Sequence, residues 1–367
     1  MHISELIKIA KQMVVAGKGI LAADESEKTV GKRFASINLE NNEDNRRAFR
    51  EMLLTAPGEG AYISGVILHD ETIRQSLADG RSFVSILQKA GILPGIKVDL
   101  GLEDFGDKGE KVTKGLDGLS DRLKEYVSLG AKFCKWRAVI TIGDPSASGP
   151  TDENIRQNAK DLASYAITCQ ENGLVPMVEP EVLLEGSHSI DQAREASRKI
   201  LTALFEELKN AGVALEGAIL KTSMVLSGKN SGVKASPEEV AKATVDLFKE
   251  VLPKELAGEA FLSGGQSELE ATANLNAMHH SPPKADRVHG AVMNQMGELS
   301  WPLTFSYARA LQDSATRAWQ GKKENMEIAQ KVFLHRAKMN SLASQGKYAS
   351  DMEKGFDLSK GGEATQD

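Results

Sequence analysis

Eight short apolar runs recur along the chain, each bounded by Gly, Pro or polar clusters and separated by longer amphipathic segments. They are "GILAAD" (19–24), "AYISGVIL" (61–68), "GIKVDL" (95–100), "FCKWRAVI" (133–140), "VPMVEP" (175–180), "GAILKT" (217–222), "AFLSGG" (260–265) and "LTFSYA" (303–308). A strand, helix, strand alternation repeated this often demands a parallel sheet with right-handed crossovers. Eight units predict an α/β fold closed into a (β/α)8 TIM barrel, one domain over 1–348, with 349–367 as a flexible tail. An open doubly wound sheet is the alternative, but no GxGxxG follows the first run and "GKGILAADES" is not a GxxxxGK[ST] loop.

The segments between the runs carry helix signals. In "TDENIRQNAKDLASYAITCQENG" Thr151 is placed to cap, Ile155, Ala159, Leu162, Ala163 and Ala166 form the apolar stripe, and Gly173 ends the helix. The N-terminal "MHISELIKIAKQMVV" puts Ile3, Leu6, Ile7, Ala10 and Val14 on one helical face and lacks the continuous apolar region of a signal peptide. No stretch approaches about 18 consecutive apolar residues, so no membrane span is expected. A net charge of −6 over 367 residues argues against a general binder of nucleic acid or anionic membrane. Cys134 and Cys169 show no metal-ligand spacing and read as buried, reduced thiols of a cytoplasmic protein.

The ends of the runs are unusually polar. In a barrel the chemistry sits at the C-terminal ends of the strands, where alternate residues point inward. Lys97 shares parity with Asp99, Lys135 with Arg137 and Phe133, and Glu179 with Glu181; "GAILKT" ends on Lys221, and "GILAADES" on Asp24 with Ser26 two residues later. A lone Asp or Lys there is commonly a satisfied structural ion pair. Their collection on four or five strands points instead to an active site. Cations in excess of their local partners call for an anion from elsewhere.

Lys221 stands at the end of a run that otherwise reads as buried strand. A lysine at its free pKa of about 10.4 is almost wholly protonated at neutral pH, hence a poor nucleophile. Partial burial and a neighbouring ammonium such as Lys135 both disfavour the charged form and expose the amine for attack on a ketone. The resulting protonated imine draws electrons from the adjacent carbon and permits carbon–carbon cleavage without a metal. Two stretches point to phosphate: "SGGQS" (263–267) after the seventh run, with Ser263, Gly264 and Gly265 offering close backbone N–H approach, and "SYAR" after the eighth, ending on the fork of Arg309. The histidines include no HxxxH or HxH, and only His69 follows a run; His279 and His280 read as solvated loop residues, and "HDE" (69–71) has ligand types enough to keep a metal as a weak alternative.

Taken together these stretches resemble the class I, Schiff-base-forming fructose-1,6-bisphosphate aldolases. The likeness runs through "GKGILAADES", "SGVILHDET", "GIKVD", "GLDGLSDR", "KWR", "NGLVPMVEPE", "LEGAILK", "FLSGGQS", "LTFSYARALQ", "AWQGKKEN" and "NSLASQGKY". The resemblance implies reversible cleavage of fructose 1,6-bisphosphate to dihydroxyacetone phosphate and glyceraldehyde 3-phosphate, with no metal and no cofactor. It implies Lys221 as the imine-forming lysine, Glu179 as the acid/base of carbinolamine dehydration, Lys135 as its cationic helper and Asp24 as the carboxylate that handles the 4-hydroxyl. Ser263, Gly264 and Arg309 fall on the pattern that holds the C1 phosphate, Ser26, Lys97 and Arg137 on that of the other phosphate. Arg33 matches a further basic residue and Glu181 a second acid near the lysine. A homo-oligomer, commonly a tetramer, and a sugar phosphate as small-molecule partner are also implied.

The sequence departs from the familiar pattern in four places. No tyrosine follows Tyr348, so enamine protonation is expected to be slower or to use another group. Thr222 and Ser223 stand where the pattern has Pro-Asn, Ala308 replaces a glycine beside the arginine, and "SPPKADRVHGAVMNQMGE" (281–298) is longer than the usual connection, expected on the non-catalytic face.

Overall fold

A computed structural model describes residues 3–143, 150–280, 299–357 and 362–363. Each of the eight runs overlaps a strand: β1 Gly19–Ala23, β2 Ile63–Leu68, β3 Leu93–Lys97, β4 Phe133–Ile140, β5 Val175–Val182, β6 Ile219–Leu220, β7 Gly258–Phe261 and β8 Leu303–Tyr307. All pair in parallel in sequence order, and β1 closes on β8 through Ile20 opposite Ser306 and Leu21 opposite Tyr307. The expected closed barrel is therefore the fold. β3 begins two residues earlier than its apolar run, which leaves Lys97 as its last residue and Asp99 just beyond.

The barrel interior changes character along its axis. Its lower layer is Ile20, Ala22, Ile67, Phe133, Val175, Met177, Ile219 and Ala260, packed against the helix Ile3–Met13. Two positions further along five of these strands the same inward parity carries charge: Ala22 gives way to Asp24, Gly95 to Lys97, Phe133 to Lys135, Met177 to Glu179 and Ile219 to Lys221. Phe133 fits because its neighbours are bare: a Cβ on Gly95 would lie 2.2 Å from the Phe133 ring, and one on Gly65 3.1 Å.

The first helix buries Leu6, Ile9, Ala10 and Met13 and leaves Ile3 exposed. Its buried face is thus rotated from the expected one, because the helix plugs the N-terminal end of the barrel and Ile9 and Met13, not Ile3 and Ile7, face the interior layer. The helix Asp152–Glu171 follows its signals: Thr151 Oγ1 accepts from the Asn154 N–H, the predicted stripe is buried, and Gly173 takes φ 78°. Cys134 and Cys169 are both buried and free.

Two features escaped the pattern. Leu102–Phe105 and Glu110–Thr113 form an antiparallel hairpin after β3, anchored where Glu110 accepts from both the N–H and the hydroxyl of Thr151 at 2.6 Å. The segment after Tyr348 lies against the helix Met326–Ala343: Glu353 binds Arg336 and His335, and Phe356 stacks on His335 at 4.0 Å. His280 is exposed as expected, but His279 is partly covered, and burial pushes its imidazole down to about 4. The longer connection 281–298 lies outside the described residues.

Candidate active site

A cavity of about 600 Å³ opens at the C-terminal ends of the strands. At its floor stands Glu179 on β5, with Oε1 2.9 Å from Lys221 Nζ and Oε2 3.2 Å from Lys135 Nζ. Lys135 reaches on to Asp24 Oδ2 at 2.8 Å and Asp99 Oδ2 at 3.6 Å. Lys221, Lys135 and Glu179 are each no more than 4% exposed. Two lysines joined through one carboxylate, with a second carboxylate on the far side, form a connected chain of charged groups contributed by β4, β5 and the ends of β1 and β6.

The electrostatics follow from this packing. Burial disfavours the Lys135 ammonium, but Asp24, Glu179 and Asp99 outweigh it and hold the group charged far above the ordinary lysine range. Burial likewise works against the Asp24 carboxylate, and Lys135, Lys221 and Lys97 overcome it, keeping Asp24 ionised well below the usual carboxylate range. Lys135 is therefore a fixed cation and Asp24 a fixed anion at neutral pH.

The family model described as fructose-bisphosphate aldolase class-I matches residues 5–361. The chain belongs to this family. It is 51% identical to fructose-bisphosphate aldolase 4, cytosolic, of Arabidopsis thaliana over 96% of this chain and 85% of that protein, and 49% identical to the fructose-bisphosphate aldolase of Dictyostelium discoideum over 96% and 94%. A solved fructose-bisphosphate aldolase from Plasmodium falciparum superposes with a TM-score of 0.89 at 46% identity, covering 95% of this chain and 96% of that one. This class-I aldolase is thus a metal-independent lyase of glycolysis that reversibly cleaves fructose 1,6-bisphosphate through a lysine Schiff base.

Around the aldolase's central chain the mouth carries further charge. Lys97 binds Asp99 at 2.7 Å, and Arg137 binds Glu181. Arg309, the first residue of the helix Arg309–Trp319, makes no ion pair among the described residues. The expected surplus of cations is therefore small, because most are matched by carboxylates of the same rim; Arg309 is where it remains. Ser26 precedes the helix Glu27–Ala35 without capping it, its hydroxyl 3.2 Å from that of Thr29. Ser263 and Gly264 line the cavity, and a Cβ on Gly264 would meet Leu262 at 2.6 Å.

Two expected residues do not line the cavity. Arg33 stands behind it, bound to Glu25 at 2.6 Å and to Gln312, while Gln312 donates to the Ala22 carbonyl at 2.8 Å. Gly265 turns the loop at φ 81° and faces Leu184 on the outer side. The sequence reading gave no role to Glu25, which also binds the buried Arg50 at 2.7 Å, or to Asp99, whose parity with Lys97 was the available signal. Leu100 and Leu102 line the mouth on the unforeseen hairpin side. The acids of "HDE" turn to arginines, Glu71 to Arg46 at 2.6 Å and Asp70 to Arg74 at 2.9 Å, while His69 faces the cavity.

Proposed function

We propose that Lys221 is the nucleophile of this aldolase and that Glu179, Lys135 and Asp24 carry its protons. The observation that supports this best is the single carboxylate, Glu179, within ion-pair distance of both buried lysines. Lys221 Nζ attacks the C2 ketone; Glu179, held against it, takes the amine's proton and delivers one to the carbinolamine oxygen as water leaves. Lys135 keeps its charge throughout, stabilising the developing alkoxide and holding Glu179 and Asp24 in place. Asp24, ionised, withdraws the proton of the 4-hydroxyl; the C3–C4 bond breaks, and its electrons pass into the iminium to give the enamine.

One phosphate rests on Ser263, Gly264 and Arg309, which has no ion-pair partner among the described residues, at the N-terminus of an 11-residue helix. The other rests on Ser26, Lys97 and Arg137, with Glu181 orienting Arg137. Arg33 and Gly265 act from behind: Arg33 fixes the β1 end through Glu25 and Gln312, and Gly265 supplies the turn that aims the loop's N–H groups. The same reading takes 1–348 as the catalytic domain and 349–367 as its tail. Among the described residues no helix is long and apolar enough to cross a membrane, and relatives are named both cytosolic and chloroplastic. The cytoplasm is the site we assign to this chain, and a homo-oligomer its state.

Borohydride reduction in the presence of dihydroxyacetone phosphate, followed by peptide mapping, tests the assignment. A stable adduct on Lys221, lost in Lys221→Met, is expected; an adduct on another lysine overturns it.

A further inference from the structure

We infer that Thr222 is a positioning residue that sets the spacing between Lys221 and Glu179. The inference deepens the assignment of Lys221 as nucleophile and rests on it. β6 is only two residues long, Ile219–Leu220, and ends before the lysine that matters. Its pairing to β5 nevertheless continues. The Lys221 N–H donates to the Val178 carbonyl at 2.8 Å, the Thr222 hydroxyl to the Pro180 carbonyl at 2.8 Å, and the Ser223 hydroxyl to the Val182 carbonyl at 2.9 Å. In a regular parallel ladder the donor after the Lys221 N–H would be the N–H two residues on, that of Ser223. Here the Thr222 side chain takes the Pro180 carbonyl.

The consequence is local to the chemistry. Val178 and Pro180 are the two neighbours of Glu179 on β5, so the carbonyls on either side of the acid are gripped by Lys221 and by the residue after it. Thr222 is itself held from the opposite side, its carbonyl accepting from the Leu262 N–H at 3.0 Å, and it is 3% exposed. β5, β6 and β7 are thus locked in register at the level where Nζ and Oε1 are 2.9 Å apart. Ser223 makes a similar bond two residues further out, at Val182, where it brackets neither member of the pair.

The test uses the full chain and four variants. Thr222→Val keeps the shape and removes the donor, Thr222→Ser keeps the donor, Thr222→Cys weakens it, and Ser223→Ala removes the neighbouring hydroxyl. kcat for fructose 1,6-bisphosphate and the rate of borohydride trapping are expected to fall together by about tenfold or more in Thr222→Val, with KM changed by less than about twofold. Thr222→Ser should restore both to within about twofold, with Thr222→Cys between; Ser223→Ala should stay within about threefold of the parent. The pH profile of kcat should shift in Thr222→Val alone. Parent-like kcat in Thr222→Val, or an equal loss in Thr222→Ser, overturns the inference even though the parent still traps at Lys221. Should Thr222→Val not fold, the order of Ser above Cys decides instead, and equal rates in those two overturn it. Trapping at another lysine in the parent would remove the underlying assignment and this inference with it, and that result is read before any variant is made.

Discussion

Glu179 Oε1 lies 2.9 Å from Lys221 Nζ while the other oxygen of the same carboxylate lies 3.2 Å from Lys135 Nζ. In the proposed assignment this carboxylate serves the nucleophile, while Lys135, a permanent cation, holds it in place. Glu179→Gln keeps the size and loses the proton. It is expected to lower kcat by about 10²–10⁴-fold with little change in KM, measured by steady-state cleavage of fructose 1,6-bisphosphate.

Lys135 is the common partner of three carboxylates, and its removal leaves Asp24 without an ion-pair partner among the described residues, crowded by Glu179 and Asp99, which keep Lys221 and Lys97. Lys135→Met should cost about 3–5 kcal/mol at pH 7 by urea unfolding, besides losing activity. In the parent, the raised Lys135 makes a contribution that is complete below the free lysine pKa and is lost only as pH rises through its folded value; the depressed Asp24 makes one that is lost only as pH falls through its own. Both are present at pH 7. In the variant the carboxylates take up protons on acidification, so its deficit should shrink between pH 7 and pH 5.

Two buried acids on the scaffold act in the opposite sense. Glu59 has an unpartnered Oε2, and burial pushes its carboxyl up to about 8; Glu259, fully buried on β7 with neither oxygen in a hydrogen bond of normal geometry, is pushed well above its ordinary range by burial, with the Thr222 N–H a smaller opposing influence. A raised acid holds its proton longer in the folded state, so parent stability should fall as pH rises from about 4.5 towards 8. Thermal melts of Glu59→Gln and Glu259→Gln should each show a flatter fall over that window, with gains at pH 8 and none at pH 4.

The proposed phosphate contact can be probed at Arg309, which lacks an ion-pair partner among the described residues. Arg309→Lys keeps the charge but loses the planar fork. KM for the bisphosphate should rise by about 10–100-fold, with a smaller change in kcat.

Inside the barrel, Gly95→Ala drives a methyl against the Phe133 ring and should cost about 1–3 kcal/mol. Phe133→Ala should cost about 3–5 kcal/mol. The double variant should lose clearly less than the two together, because the alanine methyl enters the space the ring vacates.

Strand parity carried most of this site into the sequence. Lys135 and Glu179 each follow an apolar inward residue by two positions, so alternation alone placed them at one mouth. Three kinds of information were absent from that pattern. Arg33 is held behind the cavity by Glu25, which also binds Arg50, and by Gln312, 279 residues away in the chain. The first helix carries apolar residues on more than one face, and only the barrel floor selects Ile9 and Met13. The mouth hairpin shows no apolar alternation: Leu102–Phe105 is largely exposed, and the largely buried Glu110–Thr113 is held by polar contacts, Glu110 to Thr151 and the Thr113 hydroxyl to the Arg137 carbonyl.

Closure of β1 on β8 also dictates when this molecule can finish folding. Lys18 and Thr304, which meet just below that seam, are 286 residues apart, and at ~5–20 residues per second of synthesis roughly 15–60 s separate their emergence. Throughout that interval β1 has one side without its neighbour, and the ring can be completed only once β8 has emerged.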